Sequence, residues 1–210
     1  MNIAETKEKY NNYVLESKKY WNFSNEILYR MCRENPYHTD DDIIAGKVML
    51  IGRSYAASVE RRKTKDNLDA DAFYYERVTK SIKSIKNLDD RIKELNMSSE
   101  FDLASVLSLH KDMVDALEKI TSGHVQSFSS KYLHFHCPNS FFLYDERARK
   151  RVTEIVGRVK GNLDMKDVKP YDTEYARFVC KMRKLQNGLG LHITPRELDD
   201  FLLYGEKSEN

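Results

Sequence analysis

Turn-formers are scarce in this chain. Eight glycines and four prolines serve 210 residues, so the stretches between them are long. Long stretches with apolar residues every three or four positions fold as amphipathic helices. Tyr10, Tyr13, Val14, Tyr20, Trp21, Ile27, Leu28 and Met31 recur at that spacing, and Asn35-Pro36 must stop the helix they predict. Thr39-Asp40-Asp41-Asp42 has capping-box spacing and opens a helix with Ile43, Ile44, Val48, Ile51, Tyr55 and Val59 inward. The small residues from Ile51 to Ser58 predict a close backbone approach. After a loop over 67–72, Tyr75, Val78, Ile82, Ile85, Leu88, Ile92 and Leu95 predict one helix from Phe73 to Asn96. Ser99-x-x-Asp102 opens the next, with His110 on its apolar stripe as a core or groove-lining residue and Gly123 as its C′ residue.

Asp145 stands where a further helix starts, with Ala148, Val152, Ile155, Val156 and Val159 on one face. A loop over 162–171 closes at Pro170, and a helix follows from about Thr173 to Gln186. Thr194-Pro195-Arg196-Glu197 is a full N-terminal signature for a last helix ending at Tyr204. Strand-like alternation is confined to Tyr132 to His136. The fold class expected is all-α. No linker divides the chain, so a single helical domain over 1–210 is expected. A two-lobed form would set 1–66 with 146–210 against a core over 67–145.

Charge nearly balances, at +2, so any anion-binding surface is a local patch. Three scattered cysteines without a CxxC pair argue for a reducing compartment. No stretch reads as a signal peptide or a membrane span, so a cytoplasmic protein without membrane partners is expected.

The chemistry concentrates between Ser127 and Asp145. Chains avoid a lysine inside an apolar run, because a buried ammonium is costly. Lys131 lies in such a run, on the first turns of a short helix. Two readings stand: a snorkelling side chain, or a desolvated amine able to act as a nucleophile. Asp145 is either an ordinary N-cap or a carboxylate held ionised to stabilise a developing cation. Arg147, Arg149, Lys150 and Arg151 crowd a helix start that the dipole would rather see acidic, which suits an anionic partner or a solvated face balanced by Glu146 and Glu154. Arg61 and Arg62 form a smaller basic cluster. His134-x-His136-Cys137 matches no common zinc spacing, and no metal or cofactor is expected.

These residues resemble the helix-hairpin-helix superfamily of DNA glycosylases, in its 8-oxoguanine glycosylase branch. Ser127-Phe128-Ser129-Ser130-Lys131 takes the place of the family's Gly-Val-Gly-x-Lys hairpin, with serines where the glycines stand. Phe142-Leu143-Tyr144-Asp145 takes the place of its apolar run ending in aspartate. The resemblance covers about 25 residues. It implies an all-α, two-lobed protein with Lys131 as the nucleophile and Asp145 as its electrostatic partner. It implies a pocket for a flipped base lined by Tyr132, His134, Phe135, His136 and Phe142. Nucleic-acid backbone contacts would come from Ser127, Ser129, Ser130, Arg147, Arg149, Lys150, Arg151, Arg61 and Arg62. The implied partner is nucleic acid, DNA above RNA. The chain also resembles uncharacterised bacterial proteins that share the Ser-Lys-Tyr-Leu-His-Phe-His and Tyr-Asp motifs, a resemblance that would imply a role in anti-phage defence. The competing expectation is a non-catalytic helical module that binds nucleic acid or protein, and a third is a toxin-like enzyme that modifies RNA.

Overall fold

A computed structural model describes residues 3–16, 22–64, 68–157, 171–190 and 192–205. The fold is all-α, and among the described residues the only β pairing is an isolated antiparallel bridge between Lys63 and Thr121. No described helix is long and apolar enough to cross a membrane. The chain divides into two compact units, Trp21–Phe141 and Met1–Tyr20 with Phe142–Asn210.

The first unit is built around α8, Gln126–His136, whose residues from Phe128 onward are all buried. Three helices pack on it: α2 (Asn22–Glu34), α3 (Asp41–Ser54) and α7 (Leu103–Glu118). The stripe read from Phe73 to Asn96 is in reality several pieces. A short α4, Ala70–Phe73, runs into a π-helical turn, Tyr74–Val78, and then α5, Thr79–Lys83. The π-turn rotates the register, so Tyr74 is buried and Tyr75, expected inward, is exposed. Asn87 then adopts φ +53°, in the left-handed region that asparagine tolerates better than most residues, and α6 begins at Leu88 (Leu88–Met97). That break sets Asp89 in the first turn of a new helix.

Two of the predicted helix starts shift their cap. Asp40, not Thr39, caps α3 by accepting the Ile43 N–H at 3.1 Å. Asp102, not Ser99, caps α7 through the Ser105 N–H at 3.1 Å. In each case the short carboxylate reaches the third N–H itself. α7 ends at Glu118, earlier than Gly123, because the chain leaves the helix to pair with the 62–64 segment: Ser122 N donates to Arg62 O and Thr64 N to Ile120 O. Gly123 keeps its positive φ, +121°, in the turn before α8. The close approach expected near Gly52 is made by the chain's own return, since a Cβ there would stand 3.1 Å from Ser58 Cα.

The second unit joins α1 (Ile3–Glu16), α9 (Glu146–Val156), α10 (Thr173–Leu189) and α11 (Pro195–Tyr204). α10 packs on α9 and α1, and α11 on α9. α10 runs past the expected end at Gln186 through Gly188, where a Cβ would meet Ile3 Cγ2 at 2.5 Å, and stops at Gly190 with φ +152°. The Thr194 signature forms a full capping box with Glu197. Val14, expected inward, is exposed on α1, as is Ile27 on α2. The expected contributions of Tyr20 and Trp21, Val159, and the loop over 162–170 lie outside the described residues.

Candidate functional site

Lys131 occupies the middle of α8 and is only 3% exposed. Its Nζ donates to the Ser127 hydroxyl at 2.8 Å and to the Ser127 carbonyl at 3.3 Å, one turn back. Ser130 Oγ donates to the same carbonyl at 3.1 Å. Ser129 is buried too, and its hydroxyl has no partner among the described residues.

The aromatic and histidine side chains of α8 divide between two faces. On one, Phe141 O accepts His134 Nδ1–H at 2.7 Å. That sets the tautomer, so Nε2 accepts the Tyr29 hydroxyl at 2.6 Å. Phe135 lies between Tyr29 and Tyr55, with ring centroids 4.8 and 5.5 Å away. On the other face, Tyr132 and His136 meet His38, a residue the sequence did not single out. Asp89 accepts the His38 backbone N–H on Oδ2 at 3.2 Å and Nδ1–H on Oδ1 at 2.5 Å. His38 Nε2 then accepts the Tyr132 hydroxyl at 2.9 Å. Tyr132, His38 and Asp89 thus form a directed chain from the core toward solvent, with the Asp89 side chain 30% exposed. Desolvation, helped by the nearby Lys47 charge and opposed by Asp89, pushes the His38 imidazole down to about 4, so it is neutral near pH 7. Burial, with Lys47 and His38 adding to it, holds His136 well below its usual range.

In the second unit, Asp145 caps α9, its Oδ1 accepting the Ala148 N–H at 2.8 Å. Replacing it with alanine is expected to cost about 1 kcal/mol in thermal unfolding. The basic run beyond it is largely engaged. Arg149 faces Glu174 at 3.8 Å, Lys150 pairs with Glu146 at 2.8 Å, Arg151 with Glu154 at 3.0 Å, and Arg147 donates to the Leu203 carbonyl at 3.1 Å. These acidic partners offset much of the positive field read from the sequence. Phe142 is buried, and its carbonyl accepts the Tyr175 hydroxyl at 3.2 Å. In the first unit Arg61 and Arg62 are exposed on a 3-10 turn, Glu60–Arg62, and the Arg62 guanidinium donates to the His124 carbonyl.

The structure therefore gathers Lys131, Tyr132, His134, Phe135 and His136 on one helix, and adds His38, Lys47 and Asp89 beside it. Lys47 carried the same signal as Lys131, a lysine inside the apolar run Ile43 to Ile51. His38 and Asp89 had no local signal, because their partners are 94 and 51 residues away. Among the described residues, no group of three or more His, Cys, Asp or Glu could hold a metal ion. No family model, curated protein or solved structure matches the chain.

Proposed function

We propose that the chain is a nucleic-acid N-glycosylase-like protein, acting on a modified or damaged base flipped out of its stack, with Lys131 as the amine nucleophile. The observation that supports this most is the setting of Lys131: an amine withdrawn from bulk water in mid-helix and held by the Ser127 oxygens. In the reaction, the Nζ lone pair bonds to the sugar C1′ as the glycosidic bond breaks. The departing base keeps the electron pair of the broken glycosidic bond and takes a proton. Loss of the amine proton with opening of the sugar ring leaves an imine, the species that lyase chemistry requires.

Borohydride reduces such an imine to a stable link. Incubated with duplexes carrying modified bases or an abasic site, the wild-type chain is expected to give a covalent adduct, and Lys131→Gln none. Wild type that neither releases a base nor forms an adduct on any duplex would sink the proposal. Asp145→Asn separates the two readings of that residue, since asparagine caps about as well as aspartate but carries no charge. On the glycosylase reading, Asp145→Asn leaves the melting temperature nearly unchanged and slows base release about 100-fold.

A non-catalytic binding module is the second reading. The internal engagement of His134 and Phe135 by Tyr29 and Tyr55 favours it. It predicts salt-dependent association with nucleic acid and no adduct.

A further inference from the structure

Lys47 of α3 is fully buried, at 0% exposure. Its Nζ makes one hydrogen bond, to the Tyr37 carbonyl at 3.3 Å, and no ion pair among the described residues. An ammonium carries three N–H donors, so two of them meet no acceptor. Asp89 is the carboxylate whose charge reaches Lys47, but both of its oxygens are occupied by His38. The cation is therefore left without a contacting counter-charge.

His136 stands in the same neighbourhood. Its ring centroid is 4.9 Å from that of His38 and 5.1 Å from that of Tyr132. Its Nε2 is buried without a hydrogen-bond partner among the described residues. Lys47 Nζ is bonded to the carbonyl of Tyr37, the residue before His38, and the His38 ring packs near His136, so backbone and ring contacts link the three groups. His38 is fully committed to Asp89 and Tyr132, so the surplus hydrogen-bonding capacity belongs to Lys47 and His136. Buried donors without acceptors are costly, and more so when charged. The complementary chemistry is an anion rich in acceptors. The groups that border Lys47 and His38 lie at the surface: Tyr37, whose carbonyl holds Lys47, is 65% exposed, and the Asp89 side chain is 30% exposed.

We propose that Lys47 and His136 form a binding site for a small oxyanion, the carboxylate or phosphate group of a small molecule. Lys47 supplies the charge and two N–H donors, and His136 supplies Nε2–H. The proposal is independent of any chemistry at Lys131.

The test is thermal melting of the full chain at constant ionic strength, with inorganic phosphate in one titration and acetate in another. Wild type is expected to show a saturable rise in melting temperature with at least one of them. A response to phosphate alone assigns a phosphoryl group, and a response to acetate alone a carboxylate. Lys47→Met removes a buried charge while keeping most of the side-chain length, a change that proteins commonly tolerate. It is expected to fold and to lose the rise entirely. His136→Phe, which keeps a ring beside His38 and Tyr132, is expected to weaken binding about tenfold, the equivalent of one lost hydrogen bond. No saturable rise in wild type, or the same rise in Lys47→Met, overturns the proposal.

Discussion

Between pH 6.5 and pH 5 the chain is expected to lose stability steeply, by up to about 4 kcal/mol per pH unit. Three buried histidines cause it. Desolvation pushes His110 down to about 3 and, with Lys47 assisting, His38 down to about 4, and it holds His136 well below its usual range. An unfolded histidine titrates near about 6.5. The folded pKa values lie lower, so between the two the unfolded chain binds more protons. The stabilisation is complete above about pH 6.5 and drains away as pH falls toward the folded values. Each histidine contributes at most about 1.4 kcal/mol per pH unit, and three together give the slope. By pH 4 the loss reaches about 10 kcal/mol, enough to unfold a domain in the lower part of the usual range of about 5–15 kcal/mol. Urea unfolding at half-unit pH steps measures this directly. His110→Leu should flatten the curve by about a third at the cost of its weak bond to the Gln126 carbonyl, 3.4 Å long. A stability constant from pH 7 to pH 5 would mean that these rings are already charged, or are reached by water, in the folded chain.

Tyr132→Ala is expected to be the most damaging single substitution on α8, at about 3–5 kcal/mol. The ring is fully buried between Phe128, His38 and His136, with centroids 5.7, 5.8 and 5.1 Å away. Removing it opens a cavity and strands His38 Nε2 as an unsatisfied acceptor. Tyr132→Phe isolates the second effect: it keeps the packing and deletes only the hydroxyl, for about 1–3 kcal/mol. The two substitutions measured together by denaturant unfolding separate packing from hydrogen bonding. Equal losses would show that the ring itself contributes little.

The legible part of this fold was its periodicity. Helical spacing places α7, α9 and α11 close to where they stand, because their stripes are long and one-sided and strong caps such as Asp145 and Thr194 begin the last two. The stretch from Phe73 to Asn96 was misread as one helix because a π-turn and one left-handed asparagine leave no mark on a three-and-four repeat. The candidate site was half legible. A lysine in an apolar run is a local signal, and it pointed to Lys131. The partners of Tyr132 were not legible, since His38 and Asp89 come from a connector and from a helix start that the periodicity had overrun. The basic run from Arg147 to Arg151 shows the opposite failure: the sequence displays its charges, but Glu174 joins Glu146 and Glu154 against it only after folding.

The most direct test of the central reading is to locate the covalent link. After borohydride reduction with an abasic duplex and nuclease trimming, trypsin will not cleave after a modified lysine. A sugar adduct on Lys131 therefore appears in the fragment from Ile120 to Arg147, uncut at Lys131. The glycosylase-like account predicts that mass, and predicts its disappearance in Lys131→Gln. An adduct confined to other lysines, or none at all, contradicts it.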